Sequence, residues 1–218
     1  MPDRFLDGLP AFRSLSPVAR AELARRLVLR RFRKGEPIFA EGAPAEAVYL
    51  LRSGLVKAVK YSPRSAQAAM ELIAPGQLFG MIAVMDDKPY PVSALPIAPS
   101  EAYRIPARTF AALLAAHPDF SRRVYASVGE HLRQAQALRA ISGEKVERRV
   151  ARVLLTLAES MGEVLRLRRE DVAELAGCLP ETAIRTLADF RRKGLISSGY
   201  KRLTLLDRRR LKALAGPD

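Results

Sequence analysis

The sequence predicts an α+β chain in three parts: an N-terminal antiparallel β-roll of jelly-roll type, a long helix, and a C-terminal winged helix-turn-helix. Three features predict it. Residues 29–106 break into short apolar stretches punctuated by glycine and proline, too closely spaced for helical crossovers. Residues 119–141 carry an apolar stripe with near-heptad steps. Residues 170–196 read as two short helices about a tight glycine turn, followed by a hairpin. The corresponding division is 1–117, 118–142 and 143–218.

Composition narrows the classes further. Hydrophobic residues make up 49% of the 218, enough for a sizeable core, which excludes a disordered or collagen-like chain. The net charge of +14 favours an anionic partner, nucleic acid ahead of an acidic membrane surface. The positive charge is denser after residue 143, where a third of the chain carries a net +6. Cys178 is the single cysteine, so an internal disulfide and a multi-thiolate metal site are both excluded. The start MPDRFLDGLPAFRSL has no signal-peptide apolar run, and no stretch approaches 18 uninterrupted apolar residues. A soluble cytoplasmic protein is expected.

Taken in order, a first helix follows Ser16-Pro17, with Ser16 as cap and Pro17 at the first helical position. Its apolar stripe is Val18, Leu23, Ala24 and Leu27. The strands come next, in AVYLLR, LVKAVKY, AAMELI and YRIP, with glycine or proline between them. RTFAALLAAH (108–117) is a helix broken by Pro118. The long helix then places Val124, Val128, Leu132, Ala135 and Leu138 on one side, a stripe for a twin helix in a homodimer or for the chain's own core. Ser142-Gly143 marks a hinge. Val146, Val150, Val153, Leu154 and Leu157 share one side of a further helix, and EVLRLR is a short strand.

DVAELA is stopped by Gly177, and Pro180 opens the second helix of the motif, which Gly194 ends. The hairpin LISSGYKRLTLLD has Ser198-Gly199 at its tip, and DRRRLKALA is a last basic helix. Cys178, in the turn, reads as buried packing. The second helix offers Glu181, Thr182, Ile184, Arg185, Asp189 and Arg192 on its polar side. Arg185 suits guanine O6 and N7 in a major groove; Glu181 suits a cytosine amino group, or orients Arg185 at i, i+4. Thr182 suits phosphate or a thymine methyl. Arg168, Arg169, Lys201 and Arg202 flank the helix as phosphate contacts. Against this stands a merely solvated charged face, in a structural or protein-interaction protein whose helix-turn-helix binds no DNA.

These residues carry a resemblance. KGEPIFAEG, YLLRSGLVKAVKY, ELIAPGQLFG and YRIP resemble the β-roll signatures of the cyclic-AMP receptor protein / fumarate–nitrate regulator (CRP/FNR) family. EDVAELAGCLPETAIRTLADFRRKGLI resembles its DNA-binding signature, and the likeness covers nearly the whole chain. It implies a cyclic-nucleotide-binding-like roll and a homodimer joined through the long helix. It also implies promoter DNA and RNA polymerase as partners, activation as the regulatory sense, and Glu181 and Arg185 as base contacts. Ile184 stands between those two, where some branches carry serine or glycine. Leu179-Pro180 replaces the serine or threonine that usually caps the recognition helix and the arginine that follows it.

The resemblance places an effector pocket at Gly80, Met81, Val92 and Ser93. Met81 stands where nucleotide binders have the ribose-binding glutamate, and Pro91 or Val92 where they have the phosphate-binding arginine. Neither neutralises a buried phosphate, so cyclic AMP bound in the usual way is not expected. Arg104 and Lys88 are the substitutes to consider. Haem would need His117 or His131, both expected to be structural or exposed. No cofactor, metal site or catalytic set is implied, and an enzyme is not expected. Either the first domain binds no small molecule, or its effector is unidentified.

Overall fold

A computed structural model describes residues 2–62, 65–140, 145–199 and 202–216. The chain forms two compact units, residues 1–58 with 71–136 and residues 59–70 with 137–218.

Three short helices open the chain: α1 (Pro2–Asp7), α2 (Pro10–Arg13) and α3 (Pro17–Arg26). The start of α3 follows the sequence expectation. Ser16 Oγ accepts the Ala19 N–H at 3.2 Å, and Pro17 occupies a position whose N–H would have no partner. Neither α1 nor α2 is anticipated by the sequence reading, because six and four residues are too few for a helical period to register.

Strands β1 (Val28–Phe32), β2 (Ala47–Ser53), β3 (Val56–Ser62), β4 (Ser65–Ile73), β5 (Leu78–Phe79), β6 (Ser93–Pro96) and β7 (Ser100–Pro106) form the roll. One sheet runs β1-β7-β2-β5 with antiparallel neighbours, and a second runs β4-β3-β6. The packing explains why AVYLL in β2 reads as an unbroken apolar run. Val48 and Leu50 face a core built with Phe12, Phe110 and Phe120, while Ala47, Tyr49 and Leu51 face a second core with Phe39, Phe79 and Tyr90. Alternate residues of one strand therefore feed two cores, and each fully buried leucine contributes roughly 1.5–3 kcal/mol. An unanticipated short helix, α4 (Met81–Met85), follows Gly80.

Helix α5 (Ala107–Ala116) ends at His117, and α6 (Pro118–Ala140) begins directly after it. Its 23 residues span about 34 Å at 1.5 Å per residue. The expected stripe divides here. Val124 is fully buried in its own unit, against Phe12 and Phe120, and Val128 packs partly on the same core. Leu132 is exposed, and among the described residues of α6 the other large exposed apolar side chain is Tyr125. Val124 is therefore core, and what a second chain can cover is Tyr125, Val128 and Leu132 at i, i+3, i+7. The side chains of Ala135 and Leu138, and the hinge Ser142-Gly143, lie outside the described residues.

Beyond α6, the second unit contains α7 (Val146–Met161), which buries Val150, Ala151, Leu154, Leu157 and Ala158 along one stripe. It continues with β8 (Val164–Leu165), α8 (Arg169–Leu175), α9 (Pro180–Arg192), β9 (Ile196–Gly199), β10 (Arg202–Leu205) and α10 (Arg208–Ala215). The three strands form an antiparallel sheet in the order β8-β10-β9. Strand β8 is only two residues of the expected EVLRLR, because Leu165 and Val164 alone pair with β10. Gly199 pairs with Arg202 and Ser198 with Leu203, so Ser198-Gly199 lies in the strand rather than at the hairpin tip. The Asp207 carboxylate caps α10 by accepting the Arg210 N–H at 2.9 Å.

Candidate nucleic-acid interface

Helices α8 and α9 pack through Val172, Ala173 and Ala176 on one side and Ala183, Leu187 and Phe190 on the other, all buried. The turn between them passes through Gly177 at φ +58, a left-handed conformation that costs glycine least. Arg149 of α7 donates to the Gly177 carbonyl at 3.2 Å and fixes the turn from outside. Cys178 is half-buried rather than fully packed away. Burial pushes its thiol up, Arg149 opposing the shift, which is the reverse of what an activated thiolate requires.

Helix α9 begins without a side-chain cap. Leu179 stands at the cap position, 70% exposed, and makes no such bond. A serine there would accept a free N–H of the first turn. L179S is therefore expected to stabilise the second unit by about 1 kcal/mol, read as a higher urea midpoint at unchanged slope.

The buried side of α9 defines its outward ridge. Glu181, Arg185, Ala188 and Arg192, at i, i+4, i+7 and i+11, lie opposite Ala183, Leu187 and Phe190. Glu181 and Arg185 are exposed and hold no hydrogen bond or ion pair among the described residues, so the i, i+4 pairing that the spacing allows is not formed. Ile184 flanks them, 38% exposed, an apolar side chain on a polar face. Thr182 is half-buried on the other flank, and its carbonyl accepts the Thr186 hydroxyl at 2.9 Å. Asp189 is not a free exposed acid. Lys193 Nζ lies 2.6 Å from its carboxylate and Arg192 donates to it at 2.9 Å. Lys193, then Arg192, hold that carboxyl below its usual range, and Asp189 raises Lys193 in return.

The flanking cations occupy distinct positions. Arg168 is exposed just before α8, where the Asp171 carboxylate accepts its N–H at 2.8 Å. Arg169 donates to Ser198 Oγ at 3.3 Å, tying the start of α8 to the hairpin. Arg202 is exposed on β10, and Lys201 lies outside the described residues. Arg191, not among the residues expected from the sequence, is exposed in the last turn of α9, and its position seven residues after Ile184 is the signal that places it on the same flank. One exposed face thus gathers unpaired donors and acceptors on a helix ridge, with arginines on either side.

The first unit has a different character. Gly80, Met81 and Val92 line a cavity of about 80 Å³. Ser93 is not part of its wall; it is buried elsewhere, accepting the Glu41 N–H at 2.9 Å. Small-molecule sites run to roughly 300–1,000 Å³. Aromatic side chains fill the difference. Phe39 and Tyr90 stack with centroids 3.8 Å apart, and Tyr49 and Phe79 pack beside them. Gly80 accommodates this stack: a Cβ there would stand 3.1 Å from the Tyr90 ring and 3.2 Å from Phe39. Among the described residues the wall contains an acid, Glu71, and no cation. Arg104 instead pairs with Glu46 at 3.4 Å and Lys88 with Asp86 at 3.0 Å, neither of them on this wall. His117 is half-buried at the end of α5, and the side chain of His131 lies outside the described residues.

The stack is locked by one hydroxyl. Tyr90 donates to the Ala47 carbonyl at 2.6 Å and accepts the Ala47 N–H at 3.3 Å. Burial pushes the phenol up from 10.0 to about 12. The fold favours the protonated form, so its contribution is complete below pH 10 and is lost as pH rises from about 10 to about 12. Y90F is expected to cost about 1–3 kcal/mol at neutral pH by stranding the Ala47 carbonyl. The gap between the two proteins in urea unfolding should then narrow above pH 10.

A roll with a nucleotide-binding-like cavity position, joined to a winged helix-turn-helix with an open recognition ridge, defines a class: DNA-binding transcription regulators with an N-terminal sensory-type domain. Comparison with known proteins agrees. Residues 29–117 match the cyclic nucleotide-binding domain, and residues 148–214 match the Crp-like helix-turn-helix domain. The chain belongs to the CRP/FNR family of transcriptional regulators, which are not enzymes. It is 29% identical over 218 residues to a CRP-like cAMP-activated global transcriptional regulator of Mycobacterium tuberculosis, covering 96% of this chain and 97% of that one. It is also 29% identical to a cyclic AMP receptor protein of Thermus thermophilus, over 89% and 91% of the two chains. Among solved structures, a CRP-family transcriptional regulator of Thermus thermophilus superposes with a TM-score of 0.73 at 29% identity, covering 86% and 97%. No helix among the described residues is long and apolar enough to cross a membrane.

Proposed function

We propose that the protein is a homodimer that binds promoter DNA in a sequence-specific way, activates transcription through RNA polymerase, and is not governed by cyclic AMP in the usual manner. The observation that carries the DNA reading is the outward ridge of α9, where Glu181 and Arg185 are exposed and unengaged. Arg185 takes guanine and Glu181 a cytosine amino group, while Arg168, Arg169, Arg202 and Lys201 hold the phosphates. The apolar side chains Tyr125, Val128 and Leu132 on α6 supply the dimer seam, with Ala135 and Leu138 continuing it. Two recognition helices held in this way read half-sites one helical turn apart. Activation is the sense that the family resemblance implies.

Two relatives are named for cyclic AMP, and on that point this chain departs from them. Met81 and Val92 give a phosphate nothing to pair with, and Phe39 and Tyr90 take up the room. Titration with cyclic AMP is expected to give no saturable heat, and the nucleotide should leave operator affinity unchanged. A stoichiometric isotherm, or an operator affinity raised by the nucleotide, would contradict this. The DNA reading is tested by selecting bound sequences from random duplexes. An inverted repeat whose affinity falls steeply with salt is the expected outcome.

A further inference from the structure

We propose that the first unit binds a small monocarboxylate with an apolar body, in a cleft between α2, the turn before β5, and α6. The cleft measures about 310 Å³, roughly ten waters at ~30 Å³ each, several times the space beside α4. Its floor is apolar: Leu78 and Val124 are buried, and Leu9 packs on the same core. Three polar side chains line it: Arg123, Ser127 and Gln77.

All three can donate to one anionic group. Arg123 is exposed and holds no ion pair or hydrogen bond among the described residues; the nearby acid, Asp119, is engaged with Arg122 at 2.9 Å. Ser127 follows Arg123 by one turn of α6, on the same flank. Gln77 Oε1 already accepts the Ala74 N–H at 2.6 Å, which leaves its NH₂ to donate. Among the described residues, no acidic side chain lines the cleft. A guanidinium, a hydroxyl and an amide above an apolar floor match a carboxylate whose tail descends between Leu9 and Val124. A second copy of the chain does not compete for the space. Arg123 and Tyr125 lie about 200° apart around the helix, so the cleft and the exposed apolar seam are on opposite flanks.

The test uses the full chain without DNA, so its result is independent of the DNA reading. Octanoate and 3-phenylpropionate are titrated by calorimetry, with their primary amides and octylamine as controls. The acids should bind saturably, and the amides and the amine should not. R123M, at an exposed position, should weaken the acids by at least about tenfold. A126F, which adds a ring to the exposed rim of the cleft, should abolish binding while leaving the unfolding midpoint near that of the parent. Equal binding of acid and amide, unchanged affinity in R123M or A126F, or no binding of either acid would each overturn the proposal.

Discussion

Arg185→Ala is expected to cost roughly 1–3 kcal/mol in affinity for the selected operator and to abolish discrimination at one base pair of each half-site. The loss follows from what the side chain lacks in the free protein. Arg185 is exposed and, among the described residues, engaged by no carboxylate, Glu181 included. Its five donors carry no internal bond that must be broken before they reach guanine O6 and N7. The folded state should be nearly indifferent to the change, since exposed substitutions of this type stay within about 0.5 kcal/mol. Competition binding against all four bases at that pair, with urea unfolding in parallel, separates a recognition residue from a structural one. Arg202→Ala provides the contrast: all sequences should weaken about equally, and the salt slope should fall by about one. If R185A instead keeps its preference for guanine, the ridge is misassigned.

Phe190→Ala is expected to produce the largest loss of stability, about 3–5 kcal/mol. Phe190 is fully buried, and its carbonyl accepts the Leu195 N–H at 2.9 Å, where the chain leaves α9 for β9. Truncation opens a cavity between the recognition helix and its supports. A domain has only about 5–15 kcal/mol in total, so most of the margin of the second unit would go. Urea unfolding should show the second unit melting early. Phe190→Leu should recover most of the loss, because it restores most of the missing volume. Operator binding should fall in F190A at temperatures where R185A is still fully folded, which distinguishes a lost scaffold from a lost contact.

What the sequence displays, and what it conceals, depends on the range of the interactions involved. The cap at Ser16, the start of α9 at Pro180 and the turn at Gly177 are local, each decided within a few residues, and each falls where expected. The roll is legible because glycine and proline punctuate it. Helices α1, α2 and α4 are not, because four to six residues hold no period. Longer-range facts are hidden for a different reason. A stripe on α6 says that something covers Val124, and only the packing of Phe12 and Phe120 shows that the cover is its own unit. A Glu181–Arg185 spacing permits an ion pair without forming one. Phe39 and Tyr90 stand far apart in the chain, so their stacking, and the space it removes beside Met81, has no sequence signature.

Sequence-specific recognition of this kind requires α9 to enter a major groove in two copies. Methylation of guanine N7 on the selected operator, followed by separation of bound from free duplex, tests this most directly. Interference should appear at a guanine in each of two half-sites whose centres lie about 10 base pairs apart, and both signals should vanish with R185A. Interference confined to one half-site, or two signals that persist in R185A, would contradict it.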